Sequence, residues 1–123
     1  MVNFINLTPH SLRLRINVAN TSAEPDPTDI VVEPSGEIAR VSMTPGSEEA
    51  SVNGVSLYGA TQFGEVQGLP APQADTVYIV SALVGAQVSG RDDVVQPGTG
   101  PKDGTVRTDG GQIFAVTRLV RAC

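Results

Sequence analysis

Four arginines in the second half of the chain have the chemistry to bind a phosphorylated ligand. Arg91 lies in the glycine- and proline-flanked segment 88–98 (VSGRDDVVQPG), and the other three are Arg107, Arg118 and Arg121. A guanidinium group is planar and presents paired N–H donors that match the oxygens of a phosphate or carboxylate. We therefore expect Arg91, Arg107 and either Arg118 or Arg121 to clamp the phosphates of a small ligand, provided that the fold brings them together.

Acidic and aromatic side chains complete this candidate ligand-binding set. Asp92 and Asp93 follow Arg91 directly and are expected to orient its guanidinium or to accept hydrogen bonds from ribose hydroxyls. Phe63 or Tyr78 is expected to face a nucleobase, since aromatic rings stack on bases. The competing interpretations are core packing for the two rings and a solvated turn for the segment around Arg91.

The expected strength of these contacts predicts an oligomer. A charge-assisted hydrogen bond contributes about 1.5–3 kcal/mol, and a stacked base contributes about 1–3 kcal/mol. Association itself costs about 4–15 kcal/mol, so a shallow face on one small protomer would bind weakly. Tight binding requires a ligand enclosed between protomers, and we therefore expect a homo-oligomer.

Catalytic and metal chemistry have little support in the sequence. The chain has one histidine, His10, and one cysteine, Cys123, so no cluster has zinc-ligand spacing. The turn at residues 8–10 (TPH) is interpreted as turn chemistry alone, and neither a nucleophile elbow nor a phosphate-cradling glycine loop is present. Adjacent carboxylates at Asp92 and Asp93 lack a third partner nearby in the sequence. We expect a binding protein that is not an enzyme and uses neither cofactor nor metal.

Composition and charge limit which binding partners and which cellular compartment we expect for this protein. A net charge of −5 disfavours binding to long nucleic acid. Most of the affinity for such a partner comes from counterions that are released when many Lys and Arg side chains contact its phosphates. The longest apolar run, residues 77–88, is too short to span a membrane. The first residues lack the pattern of a signal peptide, and a lone cysteine excludes an internal disulfide. These features predict a soluble, cytoplasmic protein without a membrane or long nucleic-acid partner.

Short β-strands are the elements expected to position these residues. Apolar and polar residues alternate over residues 12–18, which predicts a half-buried strand with Arg13 and Arg15 on its polar face. Residues 76–81 (TVYIVS) predict a central strand that is buried on both faces. A short helix is expected at residues 82–88, with Gly90 placed to end it.

Turn residues divide the rest of the chain into hairpins. Asn53 and Gly54 predict a type I′ hairpin turn, and a second hairpin is expected at residues 109–111. The 123 residues form a single domain, and the 13 glycines and 9 prolines favour turns over long helices. The predicted class is α+β, mainly an antiparallel sheet of about six to eight strands with one short helix.

Four stretches of the chain resemble a family of short proteins from bacteriophages and actinobacterial genomes. They are INLTPHSLRLRI at 5–16, GEIARV at 36–41, GLPAPQADTVYIVSALV at 68–84 and GRDDVVQPG at 90–98. The phage members are similar to the anti-Thoeris sponge proteins. This resemblance implies an oligomeric sponge, in the cytoplasm of an infected bacterium, that sequesters a cyclic ADP-ribose isomer or a cyclic oligonucleotide without cleaving it. The ligand residues of that family do not align onto this chain position by position.

Two other functions remain open at this point. A structural or assembly protein of a virion would share the β-rich, acidic and oligomeric character and would bind no ligand. A small phosphodiester hydrolase would bind the same nucleotides and turn them over with a metal ion.

Overall fold

The protein is mostly antiparallel β-sheet with one short helix, which confirms the predicted α+β class. The computed structural model describes residues 2–122, so Cys123 lies outside the described part of the chain. The elements in chain order are β1 Asn3–Asn6, β2 Leu12–Leu14, β3 Ile30–Val32, β4 Arg40–Thr44, β5 Glu48–Val52, β6 Val55–Tyr58, β7 Gln62–Gln67, β8 Thr76–Ile79, α1 Ala82–Gly85, β9 Val94–Pro97, β10 Val106–Arg107, β11 Ile113–Ala115 and β12 Leu119–Arg121.

A four-stranded sheet in the order β1-β8-β9-β12 forms the centre of the molecule. The segment predicted as a buried central strand is confirmed, because β8 lies between two neighbours and Tyr78, Ile79 and Val80 are fully buried. Leu7 and Val94 join Tyr78 and Val80 in the core cluster. Apolar side chains on both faces of β8 are what a strand covered on both sides requires.

The expectation of a single antiparallel sheet of six to eight strands is wrong. Strands β1, β8 and β9 run parallel to one another, and only β12 joins this sheet antiparallel. The remaining strands form four two-stranded pairs: β2-β3, β4-β7, β5-β6 and β10-β11. Parallel neighbours need a crossover between them, and α1 lies in the crossover from β8 to β9. Hydrophobic alternation does not encode strand direction, so the sequence pattern could not reveal this arrangement.

The strand in the structure is shorter than the one predicted at residues 12–18. After it ends, the burial is the reverse of the prediction, with the arginine buried and the apolar residues exposed. Strand β2 ends at Leu14, after which Ile16 is 58% exposed and Val18 is 63% exposed, whereas Arg15 is only 1% exposed. Arg15 turns inward because its guanidinium forms an ion pair with Asp29 and donates hydrogen bonds to carbonyl groups of the loop that follows. Charge pairing therefore outweighs the apolar alternation at this position.

The predicted hairpin turns are confirmed. Asn53 and Gly54 have φ angles of 52° and 82°, and they join β5 to β6 as a type I′ turn requires. The second hairpin joins β10 to β11. The helix is also present, but it ends at Gly85 with Ala86 as its C-cap, so Gly90 does not end it. Within residues 2–122 no helix has the length and apolar character needed to cross a membrane.

Strands β4 to β7 form an antiparallel ribbon that we call the β-arm, residues 40–67. Strand β4 pairs with β7 at its base, and β5 pairs with β6 toward its tip. The two strands of the ribbon stay close between these pairs, since a Cβ atom on Gly46 would lie on the backbone of Gly59. Val41 and Val66 pack the base of the arm against the core cluster.

Candidate functional site

A cavity of about 400 Å³ lies at the carboxyl ends of the three parallel strands. It is lined by residues 8–12 after β1, by Ile79, Ser81 and Ala82 at the end of β8, and by Pro97 and Thr99 at the end of β9. We call it the strand-end cavity. Ligands of open parallel sheets bind in the crevice outside the carboxyl ends of the strands, and small-molecule pockets occupy about 300–1,000 Å³. Position and size therefore make it the leading candidate for a ligand site.

The buried side chain of Asn6 shapes one wall of the strand-end cavity. Its Oδ1 accepts hydrogen bonds from the Thr8 backbone N–H at 2.9 Å and from the Thr8 hydroxyl at 2.6 Å. Its Nδ2 donates to the carbonyl oxygens of His10 at 2.7 Å and Val32 at 3.0 Å. Asn6 thus closes the turn at residues 8–10 and fastens it to β3. The NLTPH stretch is therefore built to hold a turn in one shape beside the cavity.

The other walls combine apolar surface with hydroxyl groups. Ile79 and Pro97 end the two neighbouring parallel strands and supply apolar surface. Ser81 caps α1 by accepting a hydrogen bond from the Val84 backbone N–H at 3.3 Å, which leaves its hydroxyl proton available to an acceptor in the cavity. The hydroxyl of Thr99 stands on the β9 side. A ligand with an apolar or aromatic body and polar substituents suits such walls.

A second, more polar depression adjoins the strand-end cavity. Its volume is about 470 Å³, and Thr99, Gly100, Pro101, Gly104, Thr105 and Arg107 line it. The guanidinium of Arg107 donates hydrogen bonds to the Gly111 carbonyl at 3.0 Å and to the Thr99 carbonyl at 3.3 Å. Thr99 lines both spaces, so the exposed charge of Arg107 lies next to the apolar cavity.

Arg91 lies away from the strand-end cavity, where it lines a separate depression of about 480 Å³ with Glu65 and Leu69. Its Nε and Nη2 donate to the two carboxylate oxygens of Asp93 at 2.8 and 2.9 Å, and Nη2 also donates to the Pro70 carbonyl at 2.9 Å. Hydrogen bonds from Arg91 lower the pKa of Asp93, and those to Asp93 raise the pKa of Arg91. Of the two aspartates expected to orient Arg91, Asp93 does so, while Asp92 is exposed to solvent.

The four arginines do not converge within one copy of the chain. Arg91 precedes the amino end of β9, whereas Arg118 lies at the opposite end, where its carbonyl accepts from the Gly98 N–H at 3.0 Å. Arg118 approaches Asp103 at 3.6 Å, and Arg121 is exposed beside Val95 on β12. Of the four arginines, Arg107 lines the depression that adjoins the strand-end cavity, and convergence of the arginines around a cavity formed by more than one copy stays a prediction.

The aromatic side chains are also placed differently from the binding expectation. Tyr78 is fully buried and its hydroxyl donates to the Ala71 carbonyl at 3.2 Å, so the ring cannot stack on a base. Core packing, the competing interpretation, is correct for Tyr78. Phe63 lies on the β-arm and is 41% exposed, opposite Met43. Phe114 belongs to β11, outside the sheet of Tyr78, and its ring lies 5.2 Å from the Arg13 guanidinium.

Sequence reasoning missed most of the residues that line the strand-end cavity. The hydroxyls of Thr8, Ser81 and Thr99 come from three separate segments, and residues 8–10 had been interpreted as turn chemistry alone. A pattern is present in the chain, since a hydroxyl side chain lies two positions after the end of each of β1, β8 and β9. Recognising it required knowing that these strands run parallel. Among residues 2–122, no three acidic, histidine or cysteine side chains lie together in a group that could hold a metal ion.

Comparison with known proteins found no matching protein family, no matching curated protein and no matching solved structure. The resemblance to anti-Thoeris sponges stays a prediction. The geometry of the strand-end cavity and its basic neighbour is therefore the basis for any functional conclusion.

Proposed function

We propose that this protein binds a small phosphorylated nucleotide in the strand-end cavity and holds it without chemical change. In this proposal the protein is a phage-encoded sponge that acts in the cytoplasm of the infected bacterium. Its ligand is a cyclic nucleotide signal of host immunity, either a cyclic ADP-ribose isomer or a cyclic oligonucleotide.

The observation that carries the proposal is the position of Thr99 in both cavity linings. A base could lie against the apolar walls formed by Ile79 and Pro97, with ribose hydroxyls facing Ser81 and Thr99. A phosphate would then reach toward Arg107 in the adjoining depression. An arginine suits this role because its guanidinium keeps its charge and offers several donors at once.

Holding the ligand unchanged agrees with the chemistry of the cavity walls. His10 is the one titratable side chain among the residues that line it. General acid–base catalysis by a pair of groups would need a second titratable partner within hydrogen-bond reach of the scissile bond. Sequestration needs only affinity and stoichiometric amounts of protein.

The test is calorimetry of the protein with cyclic ADP-ribose isomers and with cyclic di- and trinucleotides. We expect binding of at least one of these nucleotides, and we expect mass spectrometry to recover it intact after the complex is denatured. Ala82→Phe would fill the cavity and abolish the heat, because Ala82 lines it. The matched control is Leu83→Phe on the same helix, since Leu83 is 43% exposed and lies outside the lining.

The calorimetry and mass spectrometry distinguish three outcomes: no binding, binding outside the strand-end cavity, and cleavage of the nucleotide. No heat and no thermal shift with any of these nucleotides would end the proposal. Equal binding by the Ala82→Phe variant would place the ligand elsewhere. Recovery of a cleaved nucleotide would favour the hydrolase alternative over the sponge.

A second candidate function is a structural or assembly protein of a virion, without a ligand. The exposed apolar side chains of the β-arm favour it, because a surface of this kind is suited to contacts between subunits. This candidate predicts no binding of any nucleotide in the same experiment.

A further inference from the structure

The outer part of the β-arm is exposed on both strands. Beyond the anchored base, every residue of β5 and β6 is exposed to solvent. Met43 and Phe63, which pair across the ribbon, are 54% and 41% exposed. A two-stranded ribbon is only marginally stable in water by itself. The arm therefore extends from the core without the cover that such a ribbon needs.

One face of the outer arm is apolar, and the other carries serines together with the exposed Tyr58. The register pairs Ala50 with Leu57 and Val52 with Val55, whereas Ser51 pairs with Ser56. Paired residues share a face and successive residues alternate. The apolar side chains therefore lie together on one face, and the serines lie on the other. Val52, Val55 and Leu57 are 51%, 61% and 46% exposed, so the apolar face is open.

Charge and sheet geometry indicate what covers this face. Residues 44–65 contain the acids Glu48, Glu49 and Glu65 and no basic residue. Within residues 2–122, strand β12 forms an outer edge of the central sheet, where the exposed Arg118 directly precedes the strand and the exposed Arg121 is its last residue. Val120 on this strand is 38% exposed. An acidic, partly apolar arm and a basic, partly apolar edge are thus complementary surfaces of the same chain.

We propose that the β-arm of one copy docks on the β12 edge of a second copy. A standard protein interface uses about 20–30 residues from each partner, and residues 40–67 provide an arm of that size. A different protein would have to carry separate surfaces complementary to the arm and to the β12 edge. A second copy of this chain already carries both, because its β12 edge is complementary to the arm and its arm is complementary to the edge. Reciprocal docking closes a dimer, and head-to-tail docking closes a ring when the rotation between successive copies returns to the first copy.

The first experiment measures molar mass by light scattering and sedimentation, with no nucleotide present. We expect the wild-type protein to be a dimer or a larger closed oligomer. Leu57→Asp places a charge on the apolar face and should yield monomers. The matched control is Ser56→Asp, which adds the same charge to the opposite face of the same strand and should leave the assembly intact.

The second experiment tests the β12 edge. Arg121→Glu should weaken association at least tenfold, and combining it with Glu48→Arg and Glu49→Arg should restore part of the loss. Circular dichroism checks that each variant keeps its β-structure. A monomeric wild-type protein, or equal mass distributions for Leu57→Asp and Ser56→Asp, would overturn the proposal. An oligomer that Arg121→Glu leaves unchanged would overturn the assignment to β12. None of these outcomes depends on whether the protein binds a nucleotide.

Discussion

The guanidinium of Arg15 donates a hydrogen bond of 2.7 Å from Nε to Oδ1 of Asp29, and both side chains are buried. The same guanidinium donates to the carbonyl oxygens of Asn20 at 2.5 Å, Ser22 at 3.2 Å and Glu24 at 2.8 Å. The acidic, proline-containing loop between β2 and β3 is therefore wrapped around one buried cation. This arrangement explains how a loop with little apolar surface keeps a defined shape.

Replacing Arg15 should destabilise the protein strongly. Arg15→Met leaves the Asp29 carboxylate without its buried partner and the loop carbonyls without their donor. Removing one member of a buried ion pair costs about 3–5 kcal/mol, and chemical denaturation followed by circular dichroism measures the loss. Arg13→Met is the control, because its side chain is 27% exposed and should cost only about 1 kcal/mol. Equal losses for the two variants would show that the loop does not depend on Arg15.

Stability should fall in acid through the carboxylates of this loop. Burial raises the pKa of Asp29, but hydrogen bonds from Arg15, the Asp26 backbone and Arg13 outweigh it and leave the pKa below its ordinary value. Hydrogen bonds from Asn20 and Thr28 hold the pKa of Asp26 far below the ordinary range. A lowered pKa in the folded state adds stability above the unfolded pKa, which is about 3.9 for aspartate. This stability is lost as the pH falls below about 4.

The measurement is the free energy of unfolding as a function of pH. Asp26→Asn should flatten the acid limb of the profile, because it removes one group whose pKa differs between the folded and unfolded states. Asp92→Asn is the control, since Asp92 is exposed. An acid limb that is equally steep in the Asp26→Asn variant and the wild type would contradict this assignment.

Arg91 should contribute to stability and not to ligand binding. Arg91→Gln breaks the two contacts with Asp93 and weakens the contact with the Pro70 carbonyl, so the turn that precedes β9 is held less firmly. Charge-assisted hydrogen bonds of this kind contribute about 1.5–3 kcal/mol, and thermal unfolding should show a loss of that order. Nucleotide affinity measured below the unfolding temperature should match the wild type. A selective loss of affinity would return Arg91 to the binding site.

The amide of Asn6 should be essential for the shape of the strand-end cavity. Asn6→Asp keeps the side-chain shape but replaces the Nδ2 donor with an oxygen that faces the carbonyls of His10 and Val32. Each buried group left without its partner costs about 1–3 kcal/mol. Thermal unfolding measures the loss, and the nuclear magnetic resonance signals of the single histidine report the turn. Asn3→Asp, exposed on the same strand, is the control and should leave both unchanged.

Local sequence signals predicted the secondary structure well at particular positions. The turn at Asn53 and Gly54 was predictable because its positive φ angles suit those residues. The burial of Tyr78 followed from an uninterrupted apolar run. The burial of Arg15 was not predictable, since its partner Asp29 lies on the far side of a loop and only the folded chain brings the two together.

The candidate site was less predictable than the fold class. Its lining residues come from segments that are distant in the sequence, such as Thr8, Ser81 and Thr99. Arginine chemistry drew attention to Arg107, which adjoins the cavity through Thr99, and its role in binding stays a prediction. The same reasoning included Arg91, whose predicted contact with a neighbouring aspartate is present at Asp93 but lies away from the strand-end cavity.

The sequence by itself determined the short strands, the glycine turns, the single brief helix and the apolar run that became β8. These features depend on backbone preferences and side-chain alternation, which involve residues close together in the chain. Only the tertiary structure decided that β1, β8 and β9 run parallel, that a cavity lies at their ends, and that the outer β-arm stays uncovered. Those features depend on contacts between residues far apart in the chain, and the free energy of such contacts is set by the packed arrangement as a whole.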